Sequence, residues 1–184
     1  MLFPNKDEHF ESARIKAEKL KLMAFDVDGV LTDGTLFFTP AGDEIKAFSS
    51  LDGHGLKMLA EAGITVAIIT GRKSPMVELR AANLGVAHLF QGVEDKRAVM
   101  RSLREQLGLS AEQSGYMGDD VVDLPILRDC GFSASVRDGH QFVHKHVDFV
   151  ASHGGGRGAV RELCDFILNA QGKLDTMLAS YLTR

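Results

Sequence analysis

Phe25-Asp26-Val27-Asp28-Gly29-Val30-Leu31-Thr32-Asp33-Gly34 decides how this chain is read. Two carboxylates stand two residues apart where the apolar run Leu22 to Phe25 gives way to glycine. In a β-strand, residues i and i+2 face the same way. Asp26 and Asp28 are therefore expected side by side at the strand's carboxyl end, with Gly29 allowing a sharp turn behind them. Adjacent like charges are costly unless a cation or a shared proton relieves them. Mg²⁺ held by oxygen ligands, with an anionic phosphate as the other partner, is the common answer. A calcium loop of EF-hand type also begins Asp-x-Asp, but it asks for an oxygen ligand at its fifth position, glycine at its sixth and glutamate at its twelfth. Counted from Asp26, those places hold Val30, Leu31 and Phe37, and the loop fails at all three. The plain alternative that remains is a turn rich in Asp and Gly.

Three further segments follow in a fixed order. Thr65-Val66-Ala67-Ile68-Ile69 is an unbroken apolar and β-branched run, the pattern of a buried parallel strand. It ends in Thr70-Gly71-Arg72: a hydroxyl, a permissive glycine and a cation. Gly92-Val93-Glu94-Asp95-Lys96 then opens a helix expected over 95–107, with a lysine in the first turn, where the helix dipole favours anions. An anionic ligand would account for a lysine so placed. Tyr116-Met117-Gly118-Asp119-Asp120-Val121-Val122-Asp123 adds three carboxylates behind a short strand at 114–117. Helices expected at 52–62, 74–84 and 124–129, with strands at 88–91 and 131–135, complete a strand–helix alternation. Such alternation implies an α/β fold, a parallel sheet with helices on both faces. Ligands of these sheets bind beyond the carboxyl ends of the strands, where Asp26, Thr70 and Asp119 fall. Thr35 to Phe48 interrupts the pattern and reads as a β-hairpin around the turn Pro40-Ala41-Gly42.

Asp26-Val-Asp28-Gly-Val-Leu-Thr, Thr70, Lys96 and Gly118-Asp119-Asp120-x-x-Asp123, in that order and spacing, resemble the four motifs of the haloacid dehalogenase superfamily of phosphatases. Beyond the motifs, the stretches Asp26 to Gly34, Leu56 to Leu59, Thr70 to Pro75, Gly118 to Pro125 and His153 to Glu162 resemble the 3-deoxy-D-manno-octulosonate 8-phosphate (KDO 8-P) phosphatases, over residues 18–172. The resemblance implies a Rossmann-like sheet with no cap domain, since the intervals between motifs are too short to fold one, and a β-hairpin flap at 34–48. It implies a Mg²⁺-dependent enzyme that hydrolyses KDO 8-P in lipopolysaccharide precursor synthesis. Asp26 would be the nucleophile that forms an aspartyl-phosphate. Asp28 would give a proton to the leaving alkoxide and then activate water. Asp26, Asp119 and Asp28, the last through its backbone carbonyl, would hold Mg²⁺. Lys96 would add a fixed cation, and Thr70 a hydrogen bond to a phosphate oxygen. Asp120 and Asp123 would orient Lys96 and the metal's water. Arg72, Arg157 and Arg161 are candidates for binding the sugar acid. Arg72 reads equally well as a surface ion pair, and the glycine-rich stretch before Ala159 as a plain connection. Also implied is a homotetramer in which flap and carboxyl-terminal tail help cover a neighbour's site.

Composition sets outer limits. At 184 residues, 45% of them hydrophobic, one domain over 1–184 is the simplest reading, with a closing helix and tail at 158–184. A net charge of −4 argues against nucleic acid or an anionic membrane as partner. Met1 to Glu8 has no apolar signal core, and no stretch reaches membrane-spanning length. A cytoplasmic enzyme is expected, with Cys130 and Cys164 as reduced thiols. The spacing of His140, His144 and His146 fits a helix end better than a zinc site. One departure concerns Leu51, which precedes Asp52-Gly53 where these phosphatases usually carry arginine; it loosens the choice of sugar. Two rivals follow: a phosphatase for a nine-carbon ulosonate phosphate, and a phosphoaccepting receiver domain. In receivers the acidic pair comes first and the acceptor lies on a later strand. Here Asp-x-Asp comes first, and Asp28 offers an acid/base group that receivers lack.

Overall fold

The computed structural model describes residues 8–183. In chain order the elements are α1 (Glu8–Glu18), β1 (Leu22–Phe25), β2 (Phe37–Phe38), β3 (Glu44–Ile45), α2 (Ser50–Glu61), β4 (Thr65–Ile69), α3 (Pro75–Leu84), β5 (His88–Phe90), α4 (Lys96–Leu107), β6 (Ser114–Met117), α5 (Leu124–Leu127), β7 (Phe132–Ser135), α6 (Gln141–His144), β8 (Phe149–Val150), α7 (Ala159–Ala170) and α8 (Leu174–Ser180). Six strands form one sheet in the order β5-β4-β1-β6-β7-β8, every pairing parallel. Its central strand β1 is apolar throughout, and β4 is apolar after Thr65, because helices cover both faces. Alternation along β1 shows this. Met23 and Phe25 join the core packed by α1, α2 and α7, whereas Leu22 and Ala24 join the core packed by α4 and α5. In the first core the Phe166 ring of α7 lies 4.6 Å from Phe149 and edge-on to Phe10 at 5.4 Å. The α/β architecture expected from the alternation is the one observed.

Capping decides where the helices begin. α2 starts two residues ahead of the expected 52, because the Ser49 hydroxyl accepts the Asp52 N–H at 3.3 Å. α4 starts at Lys96 because Asp95 caps it, Oδ1 accepting from Ala98 N at 3.0 Å. The hairpin is shorter than expected. Phe37 stands opposite Ile45 and Phe38 opposite Glu44, with Gly42 at φ 91° in the turn. Helix α6 is the short helix whose end the histidine spacing suggests, whereas strand β8 and helix α8 are new, the strand being too short for periodicity to register. The reading of Met1 to Glu8 falls, apart from Glu8, on residues 1–7, outside the described ones. Among the described residues, no helix is long and apolar enough to cross a membrane.

Register positions the site. Phe25 pairs with Ile68 on one side and Met117 on the other. The chain therefore leaves β1, β4 and β6 at one rim of the sheet, at Asp26, Thr70 and Asp119.

Candidate active site

Residues just beyond these three strand ends form an open cleft of about 480 Å³, whose lining includes Asp26, Asp28, Thr70, Lys96 and Asp119. A hollow of about 640 Å³ at the opposite rim, around Leu20, Gly63 and Lys173, is larger. Among the described residues it holds no carboxylate cluster able to take a metal, and its Lys173 ammonium is bound to Ala62 O and Gln171. The smaller cleft is the one whose side chains can do chemistry. Asp26 carries the ladder one residue further, its N–H donating to Met117 O at 3.0 Å, while its Oδ1 accepts from Val27 N at 2.7 Å. Gly29, at φ 85°, turns the chain behind it, and a Cβ there would run into the Asp119 carboxylate. Thr70 is buried at the rim, where its N–H donates to Phe90 O at 2.9 Å.

Lys96 occupies the first turn of α4, against the helix dipole, and its ammonium lies 2.6 Å from Asp26 Oδ2 and 2.7 Å from Asp123 Oδ1. Burial alone would lower its pKa, but the two carboxylates outweigh burial and the net shift is upward. Asp123 is fully buried and its oxygens are engaged: Tyr116 Oη donates at 3.3 Å, Asp119 N at 3.1 Å and Asp120 N at 3.4 Å. Asp26 is shifted up, by burial first and then by Asp123, with Lys96 opposing. Asp119 is pushed up to about 7, by burial first and then by Asp123, Asp26 and Asp120. Oxygens of Asp26, Asp119 and Asp123 lie within 4.8 Å of one another. Lys96 pairs with two of these carboxylates and leaves Asp119 aside. The set accommodates a second cation, and all-oxygen donors suit Mg²⁺ better than a thiolate- or imidazole-seeking metal. With Asp123 occupied by protein donors, Asp26 and Asp119 are the two that line the cleft.

The other sequence candidates are placed less uniformly. Asp28 meets two cations: Lys46 of the hairpin pairs with Oδ1, and Arg72 Nε lies 3.7 Å from Oδ2. Arg72 also lies 2.8 Å from Glu44, so it is at once a cleft residue and an ion-pair partner. Asp120 is exposed and accepts from Val121 N at 2.7 Å. It caps the turn that presents Asp123. Arg157 pairs with Asp33 at 3.1 Å and Arg161 with Asp165 at 2.9 Å, and neither lines the cleft. The glycine-rich stretch beside them packs main chain on main chain, since a Cβ at Gly155 would overlap the Gly29 carbonyl. Arg80 donates to Ser49 O at 2.9 Å and lies over the Phe48 ring, a structural role at the hairpin's base. His140 Nδ1 accepts from Phe142 N, His144 contacts Val136 O, and the histidines form no metal cluster among the described residues. Lys46 and Glu44 are the residues beside Asp28 that sequence reading misses. Their signal is Glu44-x-Lys46, two charges on one face of a strand.

No protein-family model matches the chain. Individual proteins do. It is 46% identical over 160 residues to the 3-deoxy-D-manno-octulosonate 8-phosphate phosphatase KdsC of Escherichia coli strain K12, covering 87% of this chain and 85% of that one. The crystal structure of a probable YrbI family phosphatase from Pseudomonas syringae matches with a TM-score of 0.92 at 48% identity, over 94% of this chain and 98% of that one. The 3-deoxy-D-manno-octulosonate 8-phosphate phosphatase of Moraxella catarrhalis, crystallised with a magnesium ion, a phosphate ion and KDO, gives 0.91 at 42% identity, over 93% and 98%. With the motifs at the strand ends, the same sheet and this depth of identity over most of both chains, the conclusion is that the chain belongs to the KDO 8-P phosphatase family of the haloacid dehalogenase superfamily.

Proposed function

We propose that the chain is a Mg²⁺-dependent phosphomonoesterase that hydrolyses KDO 8-P to KDO and inorganic phosphate through an aspartyl-phosphate on Asp26. One observation carries this reading: a buried Asp26 at the floor of the cleft, with Oδ2 held by Lys96 and Thr70 and Asp119 on the same rim. Asp26 attacks phosphorus in line with the ester oxygen, and the bond to the sugar breaks as Asp28 protonates that oxygen. Asp28 then takes a proton from water as its oxygen attacks the aspartyl-phosphate, freeing phosphate and regenerating Asp26. Lys96 and the Thr70 hydroxyl steady the phosphoryl oxygens. Asp123 holds Lys96 in place. Asp26, Asp119 and the Asp28 carbonyl would hold Mg²⁺, which when bound neutralises charge that otherwise repels the nucleophile from a phosphate dianion.

Relatives named as KDO 8-P phosphatases favour the eight-carbon substrate over the nine-carbon one and an enzyme over a receiver domain. A single domain over 1–184 that assembles as a homotetramer is supported by the exposed hairpin residues Phe37, Phe38 and Ile45, apolar surface that neighbouring copies would cover. Free thiols at Cys130 and Cys164 fit a cytoplasmic setting.

Asp26→Asn is the test. Turnover of KDO 8-P is expected to fall on the order of 10⁴-fold or more, as when a nucleophile is removed, with the melting temperature preserved. Asp28→Asn should be nearly as damaging. A folded, pure Asp26→Asn protein with substantial activity would overturn the reading.

A further inference from the structure

Residues two apart in a strand share a face, and β3 with the residue after it uses this to aim Glu44 and Lys46 at the nucleophile loop. The Lys46 side chain is 2% exposed although its hairpin also carries Phe38, which is 61% exposed. An ammonium taken out of water needs anionic partners. Lys46 Nζ pairs with Asp28 Oδ1 and lies 3.3 Å from Glu44 Oε1. Arg72 closes the figure, with Nη2 2.8 Å from Glu44 Oε1 and Nε 3.7 Å from Asp28 Oδ2. Four charges of alternating sign form a ring, two from the hairpin and two from loops beyond β1 and β4. Within it the two oxygens of Asp28 are unlike. Oδ1 is fixed by Lys46, whereas the Arg72 nitrogen nearest Oδ2 is past hydrogen-bond reach.

We propose that Lys46 is a positioning residue: it anchors Asp28 through Oδ1 so that Oδ2 is free to pass a proton to and from the ester oxygen, with Glu44 and Arg72 holding Lys46 in register. The inference rests on the phosphatase reading above. In the first half-reaction a bond forms between an Asp26 oxygen and phosphorus. The ester P–O bond breaks, and the proton on Asp28 moves to the departing oxygen. A lysine that positions the proton donor matters most when the departing oxygen is basic.

The experiment compares phenyl phosphate with p-nitrophenyl phosphate in wild type and Lys46→Met at saturating Mg²⁺. The two esters are similar in size and differ in how strongly the departing oxygen needs a proton. Because kcat/KM reports steps up to the first irreversible bond cleavage, it isolates this half-reaction. The loss in kcat/KM for phenyl phosphate should exceed that for p-nitrophenyl phosphate by at least about tenfold, within the range of general acid catalysis. Lys46→Arg should recover part of the loss. Glu44→Gln should shift the same ratio in the same direction, and its effect should be less than additive with Lys46→Met; it also serves as the test should Lys46→Met fail to fold. Equal losses on both esters, or none, would overturn the proposal and leave only a structural tie. Asp26→Asn run alongside separates the outcomes. If it stays active, the phosphatase reading fails; if it is dead while Lys46→Met and Glu44→Gln show no leaving-group dependence, only the role of Lys46 fails.

Discussion

Asp119 carries the sharpest pH consequence at the scale of single residues. Burial first, then Asp123, Asp26 and Asp120, push its carboxyl from 3.8 up to about 7. A carboxyl raised in the folded state keeps a proton that the unfolded chain has released, so stability is lost as pH rises through that window. Mg²⁺ bound there would relieve the repulsion, and its binding would displace the proton. The gain in stability on adding Mg²⁺ should be small near about pH 5 and grow toward about pH 8, reaching about 2.7 kcal/mol at about a hundredfold excess over Kd. Thermal unfolding in chelator and in Mg²⁺ across that range checks this. Asp119→Asn should flatten the dependence and raise the Mg²⁺ required for activity. Asp26, Asp28, Thr70 and Asp119 are legible in the sequence because apolar runs stop just before them, and residues past a parallel strand face the ligand rim. Lys46 is not legible, since its burial depends on the hairpin folding back onto Asp28, 18 residues away. Arg157 and Arg161 are the opposite case, named in the sequence without a position. A glycine-rich loop does not say where its arginines point, and here Asp33 and Asp165 take them.

Between elements, the decisive joint is Asp52. It is buried in the first turn of α2, and its carboxylate accepts from Gly158 N at 3.2 Å and Arg161 N at 2.8 Å. One side chain thus caps the start of α7, the helix whose apolar face fills the larger core. Asp52→Ala would strand both N–H groups away from water, with an expected loss of about 2–3 kcal/mol. The loss should be read as a lower urea midpoint at unchanged m. In the sequence Asp52-Gly53 signals only a helix start, because its partner Gly158 lies 106 residues on. Helix α4 is the contrary case. Its cap, its first-turn lysine and its apolar stripe are all local, and each is readable without tertiary knowledge.

At the scale of the whole molecule, the hairpin is the part that looks unfinished. Leu36 is 41% exposed, Phe37 52%, Phe38 61% and Ile45 56%. A ribbon this short does not stand on its own. Lys46 and the Arg80 contacts tie it down on the inside, and its outer face is free for another copy. Phe37→Asp or Phe38→Asp should therefore shift the protein toward monomers and lower activity on KDO 8-P more than on a small generic ester. Light scattering at assay concentration, read beside both activities, checks this, and a fully active wild-type monomer would sink it. The support behind the nucleophile loop is made differently. Gly155 rests against the Gly29 carbonyl and Gly156 against Thr32, main chain meeting main chain with no room for a new carbon. Change by descent must then fall unevenly on this molecule. The glycines packed against the loop from Gly29 to Asp33 leave almost no spelling but their own, while the hairpin's outward positions can be rewritten letter by letter. A lineage built on this plan can alter the sugar it greets without relearning how to cut a phosphate.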